Sequence, residues 1–203
     1  MVRTSGGRIA VACACVFGLV LAGRIDARAQ APAKHETFTA KAVNMSVGAG
    51  QDFKIDVFRW SSDEERAALI AALKDNNEKA LAEAIQKAAS IGTIWTNESL
   101  GYTVRYAYRD TMPNGSERVI LATDGHLGSW SGQVWKPLHG SANADYPFTV
   151  IELRLGRAGT GEGKMSIAGK VGADEAAKTI ALTDYDTSPT LLRPVKHDSA
   201  NQK

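Results

Sequence analysis

Two pairs of side chains in one segment are of types that can move protons or hold metals. Asp124 with His126, and His139 with Asp145, lie within Thr123–Tyr146, which also carries Trp130 and Trp135. A carboxylate beside an imidazole can orient a general base or start a metal-binding set. Neither pair comes with a nucleophile. In Gly128-Ser129-Trp130-Ser131-Gly132 the nucleophile position of a Gly-x-Ser-x-Gly elbow is held by Trp130. Gly159-Thr160-Gly161-Glu162-Gly163-Lys164 fails as a phosphate loop, because the first required glycine is Ala158 and Met165 follows the lysine. That segment reads instead as the turn of a long hairpin. His35, His126, His139 and His197 have no His-x-His or i, i+4 spacing, and Asp184-Tyr185-Asp186 lacks the remaining ligands of a calcium loop. The expectation is a protein with no catalytic residues, no metal site and no cofactor.

Binding by contact is the chemistry that remains. Trp60, Tyr102, Tyr106, Tyr108, Trp130 and Trp135, with His126 and His139, form the candidate ligand-binding set. The tyrosines carry most weight, since a buried phenol requires a partner for its hydroxyl. Tyr102, Val104, Tyr106 and Tyr108 alternate with Thr103, Arg105, Ala107 and Arg109. Strict alternation places the tyrosines on one strand face and leaves the two arginines on the other, in solvent.

The elements that position these residues are short strands. Period-two alternation predicts strands near 37–46, 52–60, 91–97, 102–109, 118–123, 148–155, 164–170, 178–185 and 189–196. Asn114-Gly115 between two of them is a hairpin turn. About nine antiparallel strands imply a barrel or a sandwich. One block differs. Ser62 and Glu65 stand at capping-box spacing, Leu69, Ile70 and Leu73 form an apolar stripe, and Asn77 can cap a second helix carrying Leu81, Ala84, Ile85 and Ala88. This predicts an α-helical hairpin over about 62–89, covering one open end or one face of the β-structure, because helices this short need packing to persist.

Outside the domain the sequence is equally specific. Arg3 and Arg8, an apolar run from Ile9 through Ala22, and Ala27-Arg28-Ala29 make a secretory signal peptide spanning 1–29. Its removal takes Cys13 and Cys15 and leaves a cysteine-free mature chain. It also takes four of the 24 basic and one of the 22 acidic residues, turning a net charge of +2 into −1. No basic face remains to suggest nucleic acid, and no stable membrane anchor follows cleavage. Residues 30–36 read as a flexible lead, 37–196 as a single β-rich domain and 197–203 as a frayed tail. Export places the protein in the periplasm or the medium, and the bacterial look of the signal leaves the Asn44, Asn97 and Asn114 acceptor sequences unmodified.

Four phrases together resemble a group of exported bacterial proteins of unknown function: Phe58–Arg66, Leu100–Ala107, Val119–Asp124 and Tyr146–Leu155. The resemblance spans about 38–195 and implies one free-standing exported domain, with no activity attached. The expected function is therefore non-catalytic binding of a small, partly apolar ligand or a protein partner at the barrel mouth, beneath the helical hairpin. The alternatives are a structural or envelope-interaction protein, and a hydrolase built on the 123–146 loop.

Overall fold

The computed structural model describes residues 35–46, 49–74, 77–132, 135–138 and 146–198, which fall in one compact unit, Pro32–Lys203. Eight strands close into an antiparallel barrel. They are β1 (Glu36–Ala42), β2 (Asp52–Val57), β3 (Gly92–Thr96), β4 (Tyr102–Thr111), β5 (Glu117–Thr123), β6 (Thr149–Leu155), β7 (Thr160–Met165) and β10 (Leu192–Asp198). Their order around the wall is β1-β10-β7-β6-β5-β4-β3-β2. The other two strands, β8 (Val171–Asp174) and β9 (Thr179–Leu182), form a separate hairpin. Closure settles barrel against sandwich.

Alternation sorts the strand residues into two cores. Phe38, Ile55, Ile94, Val119, Leu121, Ile151, Leu153 and Val195 point inward and fill the lumen. Ile120, Ala122, Phe148 and Val150 point outward from the same wall. An apolar outer wall must be covered, and two hairpins cover it. α1 (Asp63–Ala72) and α2 (Glu78–Lys87) contribute Leu69, Leu73, Leu81 and Ile85, and the β8–β9 hairpin contributes Val171, Ile180 and Leu182. The helical block is thus the roof of one barrel face. The barrel's open end and the space under the helices are different places.

The helix boundaries follow the sequence signals. The Ser62 hydroxyl accepts from the Glu65 amide at 3.3 Å, and the Ser62 amide donates to Glu65 Oε2 at 2.8 Å. Asn77 Oδ1 accepts from the Ala80 amide at 3.0 Å.

Three strand expectations change. Residues 160–165, expected as part of a turn, are β7, and only 156–159 turn the chain. β7 carries glycines because its neighbours are too close for side chains: a Cβ on Gly161 would lie 1.9 Å from the Arg154 carbonyl oxygen, and one on Gly163 would lie 2.6 Å from Leu153 Cδ2. The last residue of the supposed flexible lead and the first two of the supposed frayed tail lie in strands: Glu36 opens β1 and pairs with Val57, and His197 and Asp198 close β10 opposite Phe38 and Thr37. In β4 the pairing shifts register between Val104 and Tyr106. That bulge, at Arg105, reverses which parity faces inward.

Candidate functional site

The bulge separates the tyrosines. Tyr102 and Val104 belong to the lumen core, whereas Tyr106 and Tyr108 lie on the outer wall. Tyr106 hydrogen bonds Thr179 on β9 at 2.5 Å, and burial pushes its phenol up to about 12. Tyr108 lies beneath the Arg66 guanidinium, 4.9 Å from the ring centroid. Both therefore fasten the covering hairpins to the barrel.

At the end of the lumen bounded by the β3–β4 and β5–β6 connections, the Tyr102 hydroxyl accepts from the Gly128 amide at 2.9 Å. Its ring stands edge-on to the half-exposed Trp130, with centroids 6.4 Å apart. Trp135 is buried against Phe53. Gly128 has φ +91°, and a Cβ there would sit 2.5 Å from the Trp135 ring. Glycine lets the loop lie flat on the indole, and Trp135 stops this end of the barrel. His126 is half-buried nearby. Asp124 accepts from Arg105 Nε at 2.9 Å, so Arg105 is bound and not solvated. His139 and Asp145 lie outside the described residues. Trp60 is at the opposite end. The eight expected site residues are thus distributed over three places or fall outside the description, and the structure gathers no single aromatic pocket from them.

The opposite rim is where charged groups converge. Glu36, Arg109, Glu117 and His197 lie two positions beyond the inward-facing Phe38, Ala107, Val119 and Val195, so they continue the lumen face to its mouth. His197 Nε2 is 3.1 Å from Glu36 Oε2, and Nδ1 is 3.7 Å from Glu117 Oε2. Its ring stacks on Phe38 with centroids 4.6 Å apart. Arg109 pairs with Glu36 and lies 4.5 Å from the Trp60 ring centroid. Trp60 Nε1 donates to Glu36 Oε1 at 3.3 Å. Burial holds the Arg109 guanidinium below its ordinary value, against the pull of Glu117. Sequence reading missed this cluster because Glu36 and His197 were assigned to the chain's loose ends. Only the β1–β10 pairing joins them.

A cleft of about 780 Å³ lies on the outer wall, between the rim formed by the β4–β5 and β6–β7 turns, where Glu117 is among its lining residues, and the β8–β9 hairpin. Met112, Leu155, Ala181 and Leu182 give it apolar walls, and Arg118, Arg154, Asp174 and Glu175 give it charge. Behind it lies the fully buried Glu152. Glu152 Oε1 accepts from Arg118 Nε at 2.9 Å and Arg154 Nε at 3.1 Å, while Oε2 accepts from the Leu182 amide at 3.2 Å. Arg118 reaches Asp174 Oδ2 at 2.6 Å. Burial alone would push the Arg118 guanidinium down, but Glu152 and Asp174 hold it above its ordinary value. Asp174 is held low in return, by its hydrogen bond from Arg118.

The chain matches no family model, no curated protein and no solved structure. Among the described residues, no three His, Cys, Asp or Glu side chains come together as a metal set. No helix there is long and apolar enough to cross a membrane.

Proposed function

We propose that this is an exported, non-catalytic protein that binds a small, partly apolar molecule in the cleft between the barrel rim and the β8–β9 hairpin. The observation that carries the reading is the contrast between two spaces. The lumen is filled by Phe38, Phe53, Ile55, Ile94 and Trp135, all almost fully buried, whereas the outer cleft holds about 780 Å³. Sites of about 300–1,000 Å³ with apolar walls and a few polar groups suit small ligands. The binding place expected at the barrel mouth under the helical hairpin moves accordingly to the outer side of the rim that carries Glu117. Export rests on the N-terminal signal pattern and on the resemblance to exported bacterial proteins.

Native mass spectrometry of the mature protein, purified from its exported compartment and compared with a denatured sample, tests the proposal. The expected result is an extra mass that denaturation releases, and that is lost in Ala173→Trp, where an indole fills the cleft. A bare subunit mass, together with no thermal shift across a small-molecule panel, overturns it.

One observation favours a second reading, that of an envelope-interaction protein. Trp95, Leu100, Trp130 and Leu138 are exposed on or beside the loops of the opposite end. A subunit mass doubled in solution, or a co-purifying protein lost on Trp130→Ser, would replace the ligand reading with this one.

A further inference from the structure

We infer that the end of the lumen stopped by Trp135 holds one ordered water molecule, bound by Trp135, Thr96 and Gln51. This site is separate from the outer cleft, and it stands whether or not the cleft binds a ligand. Trp135 Nε1, Thr96 Oγ1 and Gln51 Oε1 are buried and find no hydrogen-bonding partner among the described residues. Their residues are 1%, 7% and 7% exposed, so bulk solvent does not serve them. A buried donor or acceptor left in that condition loses its hydration with nothing in exchange. Protein interiors answer such groups with ordered water.

Phe53 brings the three together. Thr96 is its cross-strand partner between β2 and β3. Gln51 precedes it by two residues and continues the same inward face one layer nearer the barrel end. The Trp135 ring stands edge-on to it, with centroids 5.8 Å apart. The other side of the indole is fixed by Gly128. A Cβ there would lie 2.5 Å from Cδ1 and 2.8 Å from Nε1 of Trp135, so the N–H edge of the ring runs beside Gly128. The Gly128 amide donates to the Tyr102 hydroxyl at 2.9 Å. Tyr102 on β4 pairs with Ile94 on β3, two residues from Thr96. The indole therefore spans from Phe53 on β2 to Gly128 above β4, and β3 with Thr96 lies between.

The chemical types of the three atoms select the occupant. An indole N–H only donates, an amide carbonyl oxygen only accepts, and a hydroxyl does either. A metal or ammonium cation has no use for the indole N–H, and an anion has none for the Gln51 oxygen. Water serves all three. It accepts from Trp135, donates to Gln51, and makes its third bond with Thr96 in either sense. Three bonds are the usual complement of a buried water. The bridge ties the end of the β1–β2 connection, β3 and the Trp135 segment to one another at a point where none of these three side-chain atoms reaches a protein partner.

Water itself is the probe in the test, which uses the mature protein. Water-selective NMR should give the Trp135 indole proton a cross peak of the sign that marks long-lived, bound water. A high-resolution crystal structure should show one water oxygen about 2.7–3.2 Å from each of the three atoms. Thr96→Val keeps the side chain's shape and removes its hydroxyl. The cross peak should weaken, and exchange of the indole proton with solvent should quicken about tenfold, the worth of one hydrogen bond. Thr96→Ser, which keeps the hydroxyl and loses a methyl, should behave as the parent does. If Thr96 only packs, the order reverses: Val is silent and Ser is the variant that loosens the site. That order overturns the proposal. Should Thr96→Val not fold, Gln51→Met removes the acceptor at similar length and is expected to have the same effect on the indole proton. An indole proton with no bound-water cross peak, or a crystal structure in which Trp135 Nε1 donates directly to another group of the protein, also overturns it.

Discussion

At the scale of single residues, the same chemical type plays opposite parts according to its surroundings. Glu152 is fully buried and answers two guanidiniums and a backbone amide, whereas Asp186 meets one of those guanidiniums from the surface, 88% exposed. Glu152→Ala strips a buried charge pair from one side and should destabilise by about 3–5 kcal/mol. Asp186→Ala should cost less than about 0.5 kcal/mol. Urea denaturation of the two variants checks both. Tyr106 gives a pH prediction. Burial raises its phenol from 10.0 to about 12, so it ionises more readily in the unfolded chain. Its contribution, about 3 kcal/mol by linkage, is complete below pH 10 and is lost as pH rises toward 12. Phenolate absorbance should therefore appear together with unfolding, and Tyr106→Phe should shift the alkaline midpoint upward. None of this was legible in the sequence. Whether a carboxylate is alone or paired depends on residues as distant as Arg118 and Glu152, or Glu36 and His197, and no local pattern joins them.

At the scale of elements, legibility followed how local the cause was. The capping box of α1, the Asn77 cap of α2 and the Asn114-Gly115 turn act within a few residues, and each was readable. The Arg105 bulge was not. A period of two assumes an unbroken ladder, and one extra residue moved Tyr106 and Tyr108 from the lumen face to the outer wall. β7 was misread because glycines signal turns, whereas here they let two strands approach closely. Substitution separates the two uses of glycine. Gly161→Ala drives a methyl into the Arg154 carbonyl and should destabilise by more than about 3 kcal/mol. Gly125→Ala meets nothing within 4 Å and should change stability by less than about 0.5 kcal/mol. Thermal melts followed by circular dichroism distinguish these outcomes. In the same assay Ser62→Ala should cost about 1 kcal/mol through the lost cap.

At the scale of the whole molecule, the barrel is a filled post whose wall is half covered. The α-hairpin and the β8–β9 hairpin dress the outside of β4, β5 and β6, leaving the rim near Glu117 as the place where surface and lumen chemistry meet. Barrel closure was within reach of the sequence as one of two architectures, but the site on its flank was not, because the cleft's walls come from segments about 70 residues apart, Met112 to Leu182. Closure also has a consequence in time. β1 and β10 are partners, yet Ala42 and Leu192 are separated by 150 positions. During synthesis the first strand waits for the last, and until β10 emerges one side of β1 is a bare edge of unpaired amides and carbonyls. A second chain in the same condition offers the missing strand just as well. Each newly made molecule therefore faces a race between shutting on itself and trading its final strand with a neighbour. Concentration should settle that race: dilute refolding is expected to give monomers and crowded refolding interlocked pairs, which size-exclusion chromatography after refolding at two concentrations checks.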